Sequence, residues 1–322
     1  MKEDFEQPTI TDHDVLIKVK SAGVNPIDYF TVSNAVGIKP LPHIPGAEVT
    51  GIIVQVGKHV TALKEGDKVV LYNRIFDGTC DMCLNGYEML CRNGGIMGVN
   101  TNGGFADYIA ASEKNVFKIY DDVQWDVAAS LATTTITPYH ALKEASLKSN
   151  ELLVILVPLE IQVQWQSNLE RKWEQRLSQF RDNWIKDDFG ADYIISDYDK
   201  VVDQVKDITQ GKMADVVLNS LGVNTWENSF SYVGLNGRWV AFGGLTGADV
   251  KLNVQSLYSK QIKLIGSTGG TRKEFREIID MSKELKVRVW KRFKLGDAKE
   301  ALQALFAKER DGRILLDINN DI

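Results

Sequence analysis

Only three cysteines occur in the 322 residues of this chain, and all three fall between Cys80 and Cys91. That scarcity excludes the disulfide framework of a small secreted domain. A basic excess is missing too: 38 Lys and Arg against 43 Asp and Glu leave a net charge of -5. Neither nucleic acid nor an anionic membrane is then expected as the main partner. No apolar run approaches the roughly 20 residues that span a bilayer, and MKEDFEQPTI has no signal-peptide core. The expectation is a cytoplasmic protein acting on a small molecule, long enough for two domains with cores of their own. Clustered thiols in a reducing compartment suggest a metal. One further absence is local: from Leu156 to Arg181 there is no glycine and no alanine.

What is there reads as β structure first and α/β structure later. Asp14 to Lys20 alternates as a half-buried strand should, and Val49 to Val56 is a second strand bounded by Gly46, Gly51 and Gly57. Glu65-Gly66-Asp67 is a turn before a third strand, Lys68 to Tyr72. Short strands at this spacing predict a small, partly closed barrel. Cys80 and Cys83 then stand two residues apart, Cys91 follows eight later, and Asp77 lies three before Cys80. Two thiolates at that spacing grip one face of a tetrahedral zinc ion, and the third thiolate and the carboxylate complete it. With four protein ligands, Asp77, Cys80, Cys83 and Cys91, such a zinc is structural. Downstream, Ala214 to Gly222, Gly237 to Gly244 and Ile262 to Ser267 read as buried parallel strands ending in polar or glycine turns. Ser220, Leu221, Gly243, Gly244, Gly266 and Ser267, at their carboxyl ends, are the candidate cofactor-binding residues. A helix from Asp297 to Lys308 and a strand from Arg313 to Asp317 close the chain. His43, between Pro42 and Pro45, reads as structural, while His13, His59 and His140 are isolated and receive no chemistry.

The D-x2-C-x2-C-x7-C lobe resembles that of the zinc-containing alcohol dehydrogenase and quinone oxidoreductase superfamily, the medium-chain dehydrogenases/reductases, with Asp77 replacing its first cysteine. Ala22 to Asp28, His43 to Glu48, Gly66 to Val69 and Gly103 to Tyr108 carry the same likeness. The resemblance implies an α/β fold. A GroES-like β-barrel domain with the zinc lobe at about 77–91 would cover 1–123 and 267–322. A Rossmann-type domain with a doubly wound parallel sheet would cover 124–266. It also implies a barrel edge left unpaired, since members carry about two more strands ahead of the one at Asp14.

In zinc-dependent members a catalytic ion is held by a Cys where this chain has Asn25 and by a His where it has Ala47. A further Cys falls near Thr133 to Thr135. None of these can serve, and the lone Glu48 makes no site. The resemblance therefore points to the quinone- or enoyl-reductase branch, hydride transfer from a nicotinamide without catalytic zinc, with Asn25, Asp28 and Tyr29 in the cleft. Thr134 would lie beside the nicotinamide, and the assembly would be a homodimer or tetramer. The rival readings are a zinc-dependent alcohol dehydrogenase and, in another class, a non-catalytic, zinc-stabilised binding protein.

That last reading arises from the stretch without glycine. Leu152 to Ile155 is a buried strand, after which a dinucleotide-binding turn needs glycines so that the backbone can approach a pyrophosphate. The chain instead has Pro158, the repelling acid Glu160, and bulky Val157 and Val163, followed by an amphipathic pattern at Leu169, Trp173, Leu177 and Phe180. Read one nucleotide earlier, Trp165-Gln166 must encode alanine and Trp173-Glu174 must encode glycine. Synonymous codons permit F-G-A-S-G-N-T-G at 156–163, then a helix, then a strand K-V-I-A-V-S. We read about 156–181 as a compensated frameshift. The restored strand ends in Ser beside Arg181, with no acid for a ribose 2′-hydroxyl, which leans to NADP over NAD.

Overall fold

The computed structural model describes residues 5–33, 41–156, 176–178, 192–195, 200–307 and 309–319. The expected phosphate turn, the helix start at Leu169 and Trp173, and Arg181 lie outside those residues. Contacts divide the chain into two units, Met1–Ile136 with Gly270–Ile322, and Thr137–Gly269. These contact units divide at 136/137 and 269/270. The reason is local: the backbone N–H groups of Thr133 and Thr134 bond to Glu48 and tie that stretch to the first unit.

In the first unit β1 (Asp14–Gly23), β2 (Glu48–Val56), β3 (Lys68–Leu71), β6 (Tyr108–Ser112) and β7 (Val116–Lys118) make most of one sheet. The two short strands β4 (Arg74–Ile75) and β5 (Gly95–Ile96) pair separately at the base of the cysteine loop. Alternating residues of β1 put Val15, Ile17 and Val19 into one core with Val49, Ile53, Val69 and Leu71. Burying each such side chain contributes about 1.5–3 kcal/mol. The expected open edge does not fall on β1, which pairs antiparallel with β2 along its length, with β6 at Asp14–Lys18, and with the chain's last strand at Ser21–Gly23.

The second unit holds β8 (Leu153–Leu156), β9 (Arg176–Ser178), β10 (Tyr193–Ile194), β11 (Ala214–Asn219), β12 (Val233–Ala241) and β13 (Lys263–Gly266). They form one parallel sheet in the order β10-β9-β8-β11-β12-β13. Strands buried on both faces explain the unbroken apolar runs. Val154, Leu156, Val217 and Trp239 face one core, while Leu153, Val216, Leu218 and Val240 face another with Ala141 and Leu142. Leu177, counted above on the apolar face of a helix, belongs instead to β9, which pairs with β8 through Leu153↔Arg176, Val154↔Leu177 and Ile155↔Ser178. Parallel pairing with β8 overrides the helical spacing there.

The chain then returns to the first unit with β14 (Val289–Lys294), the helix Ala298–Ala304 and β15 (Arg313–Asp317), which joins β14 in parallel and β1 antiparallel. Ile314 and Leu316 of β15 pack with Ala22, Ala301 and Leu302.

Candidate metal lobe and buried polar cluster

The loop between β4 and β5 brings the four predicted ligands together. Cys80 precedes the single helical turn Asp81–Leu84 in extended conformation, and the turn Glu88–Leu90 delivers Cys91 back to it. The ligating atoms of Asp77, Cys80, Cys83 and Cys91 all lie within 4.8 Å of one another. Cys80 Sγ stands 3.6 Å from Cys83 Sγ and 3.9 Å from Cys91 Sγ. The Asp77 carboxylate accepts the N–H groups of Thr79 at 2.7 Å and Cys80 at 3.0 Å, and the Asn93 amide at 2.8 Å. The Cys80 N–H and its companions hold that carboxyl well below the usual range. The Asp77 N–H in turn donates to Cys91 Sγ at 3.3 Å. Backbone N–H groups fix the donors as they do around metal thiolates. Three soft sulfurs and one hard oxygen at this separation fit a tetrahedral zinc. Among the described residues no other group of three or more such side chains converges this way.

The second constellation is buried. Pro26 opens the helix Pro26–Val32, where its missing N–H costs nothing, and Asn25 stands just before it. The Asn25 N–H donates to Asp28 Oδ2 at 2.8 Å, while Asp28 Oδ1 accepts from Ala47 at 3.0 Å and Gly46 at 3.2 Å. Asp28 thus pins the helix start to the turn before β2. Burial pushes its carboxyl up to about 7. Gly46 is required at that turn: its φ is +110°, and a Cβ there would come within 2.5 Å of the Phe105 ring.

Glu48, at 0% exposure, collects five donors. Its Oε1 accepts the N–H groups of Thr133 at 2.7 Å and Thr134 at 2.9 Å. Its Oε2 accepts Arg313 Nη2 at 2.6 Å, Asn25 Nδ2 at 3.0 Å and the Thr134 hydroxyl at 3.0 Å. Arg313 Nη1 also donates to Asn25 Oδ1 at 3.0 Å. Thr133 and Thr134 can present two successive N–H groups because Leu131–Thr135 is a widened, π-type turn, closed by the Thr135 N–H on the Ser130 carbonyl at 3.0 Å.

Asn25, Asp28 and Thr134 are therefore brought into one cluster. Tyr29 is not: its ring packs edge-on against Phe306 with centroids 4.6 Å apart. Ala47 offers no donor atom, and the polar atoms of Asn25, Asp28 and Glu48 already bond to protein groups. Sequence reading missed Arg313, which was assigned only to a strand. The signal was a cation opening the apolar run Ile314-Leu315-Leu316.

In the second unit the candidate cofactor residues share the carboxyl edge of the sheet. Ser220 and Leu221 follow β11, Gly243 and Gly244 follow β12, and Gly266 and Ser267 end β13. The Asn219 side chain shapes this edge, accepting the N–H groups of Leu221 at 2.8 Å and Gly222 at 3.1 Å. A Cβ on Gly243 would stand 2.8 Å from the Ser220 carbonyl oxygen. Ser267 Oγ is buried with no partner among the described residues. Of the histidines, His43 Nε2 meets the Gly98 carbonyl at 3.0 Å, a structural contact. His13 and His59 are not isolated. Their nitrogens Nε2 and Nδ1 lie 3.3 Å apart.

Residues 11–121 match the alcohol dehydrogenase GroES-like domain, and residues 177–284 match the zinc-binding dehydrogenase domain. An alcohol dehydrogenase of Geobacillus stearothermophilus is 30% identical over 332 residues, 99% of this chain and 96% of that protein. An NAD-dependent alcohol dehydrogenase of Sulfolobus acidocaldarius is 29% identical over 98% of this chain and 95% of its own length. The crystal structure of a thermostable alcohol dehydrogenase from Pyrobaculum aerophilum superposes with a TM-score of 0.85 at 32% identity, covering 97% of this chain and 93% of that one. No helix among the described residues is long and apolar enough to cross a membrane. The chain is an oxidoreductase and belongs to the zinc-containing alcohol dehydrogenase superfamily, the medium-chain dehydrogenases/reductases.

Proposed function

We propose that this protein interconverts a small alcohol and its carbonyl compound with a nicotinamide cofactor, NAD(H), and carries one structural zinc on Asp77, Cys80, Cys83 and Cys91. The observation that carries the reading is its likeness, over nearly the full length of both chains, to proteins named alcohol dehydrogenases. This moves the assignment away from the quinone- and enoyl-reductase branch. It also removes the lean to NADP, since two relatives are named as NAD-dependent and Arg181 lies outside the described residues. The carboxyl edge formed by Ser220, Leu221, Gly243, Gly244, Gly266 and Ser267 would take the cofactor.

A second reading keeps hydride transfer to a quinone or a conjugated carbonyl without catalytic zinc. The buried cluster favours it, because Ala47 and Asn25 leave no ligand set for a second ion. One set of assays separates the two. Alcohol oxidation with NAD+ and quinone reduction with NADH are followed by nicotinamide absorbance, and zinc is counted by elemental analysis. Alcohol turnover supports the main reading. Quinone turnover alone, with one zinc per chain, replaces it with the second.

The stretch 156–181 decides whether the chain as printed binds cofactor. β9 stands where the strand of the shifted frame, K-V-I, falls, and the zinc-binding dehydrogenase match begins only at residue 177. Both support the frameshift. Saturable NADH binding by the printed protein would overturn the view that Glu160 and its neighbours obstruct the phosphates. No binding and no turnover would favour a zinc-stabilised binding protein. Codons unable to encode glycine at positions 157, 160 and 163 in the shifted frame would end the frameshift reading.

A further inference from the structure

We propose that His13 and His59 form a second, surface zinc site, distinct from the cysteine lobe. His13 lies on the turn entering β1, and His59 on the turn leaving β2. The antiparallel register Val15↔Val56 places these turns side by side, although they are 46 residues apart in the chain. Backbone bonds lock them together: the His59 N–H donates to the Asp12 carbonyl at 2.8 Å, Gly57 to Asp14 at 2.8 Å, and Glu113 to the His13 carbonyl at 3.0 Å. Gly57 permits the close approach, because a Cβ there would come within 2.4 Å of the Thr11 carbonyl oxygen.

The imidazoles meet at one pair of nitrogens, within hydrogen-bond distance of each other. His13 Nε2 and His59 Nδ1 are 3.3 Å apart, with ring centroids at 4.9 Å and planes at 53°. Two Zn–N bonds of about 2.0–2.1 Å at a tetrahedral angle separate the nitrogens by about 3.3–3.4 Å. The centroids are closer than two rings meeting head-on across such a contact would stand, so the nitrogens approach at an angle, as two ligands of one ion do. Both side chains are exposed, which gives an ion a way in. The acids beside them in sequence or space are engaged elsewhere. Asp12 pairs with Lys58 at 2.7 Å, Asp14 accepts the Thr11 N–H at 3.0 Å, and Glu113 accepts the N–H groups of Thr61 at 2.8 Å and Ala62 at 2.7 Å. The site thus offers two imidazole nitrogens, with the remaining positions left for water. That donor set suits zinc or another borderline dication and disfavours calcium or magnesium, which want oxygen.

The bound ion would staple the two turns and stabilise the folded state by mass action. The test uses the tag-free full chain with its lobe zinc in place at about pH 7.5. Zinc is added and followed by calorimetry and by thermal unfolding. One further zinc is expected to bind and raise the melting temperature. H13N and H59N should each weaken that site about tenfold or more, since losing an outer-shell partner alone costs about 10–100-fold, and should abolish the thermal shift. Circular dichroism of the two variants, both altered at exposed positions, confirms that they fold. Further zinc bound by H59N with undiminished affinity would place it elsewhere and overturn the proposal. So would the absence of any further zinc in the unaltered protein.

Discussion

The cysteine lobe and the Glu48 cluster gather anionic donors in the same domain, yet they solve the charge problem in opposite ways. In the cluster the counter-charge is part of the chain: Arg313 lies against Glu48, at 2% and 0% side-chain exposure. In the lobe the Arg92 guanidinium is spent on Asp81 in a two-pronged contact at 2.5 and 2.7 Å, outside the ligand set. Among the described residues, three sulfurs and the Asp77 carboxylate face one another with no salt-bridged cation. The difference teaches that convergent donors alone do not make a metal site. What makes one is convergence without an internal cation.

The strongest way to break the comparison is to remove the internal cation. R313M leaves a buried carboxylate unpaired and should cost about 3–5 kcal/mol in denaturant unfolding. Adding E48Q should recover part of that loss, giving a coupling energy above the roughly 0.5 kcal/mol expected of independent sites. Additive losses would show that the pair is not acting as one unit.

Asp28 gives a test of the same order or smaller. Its folded carboxyl is raised to about 7, so the folded state keeps a proton that the unfolded state sheds near pH 4. Stability from this group is therefore greatest below about pH 4 and falls as pH rises to about 7, by on the order of 4 kcal/mol at most. D28N should flatten the stability profile between pH 4 and 7, whatever its offset in overall stability. An unchanged slope would assign the titration to another group.

The smallest effect belongs to the lobe's odd ligand. D77N keeps the fold of the loop but replaces a charged oxygen with a neutral one. Chelator should then strip zinc about tenfold faster or more, with the Glu48 cluster unaffected. Equal stripping rates would mean that Asp77 only caps the turn through Thr79 and Cys80.

What could be read from the sequence follows the range of the interactions. The strand alternation at Asp14 to Lys20 and the thiol spacing at Cys80 and Cys83 are local patterns, and both are where they were expected. Asn25 and Asp28 were legible as a pair because they sit three residues apart on one helix start. Arg313 reaches Asn25 across 288 residues, and no local pattern announces that. The same holds for His13 and His59, which meet only because of the β1–β2 register. Tyr29 has sequence neighbours in the cluster, while its ring has an aromatic partner, Phe306, far down the chain.

The pairing of β15 with β1 has a consequence for biosynthesis. Glu48 is translated 265 residues before the guanidinium that neutralises it. At about 5–20 residues per second, that is a delay of roughly 13–53 s on the ribosome. During that interval the amino-terminal barrel must hold an unneutralised acid and an unfilled place beside β1. The intervening 137–269 unit, whose strands pair only with one another, is free to mature first. The barrel, although begun earlier, is completed only when β15 has been translated.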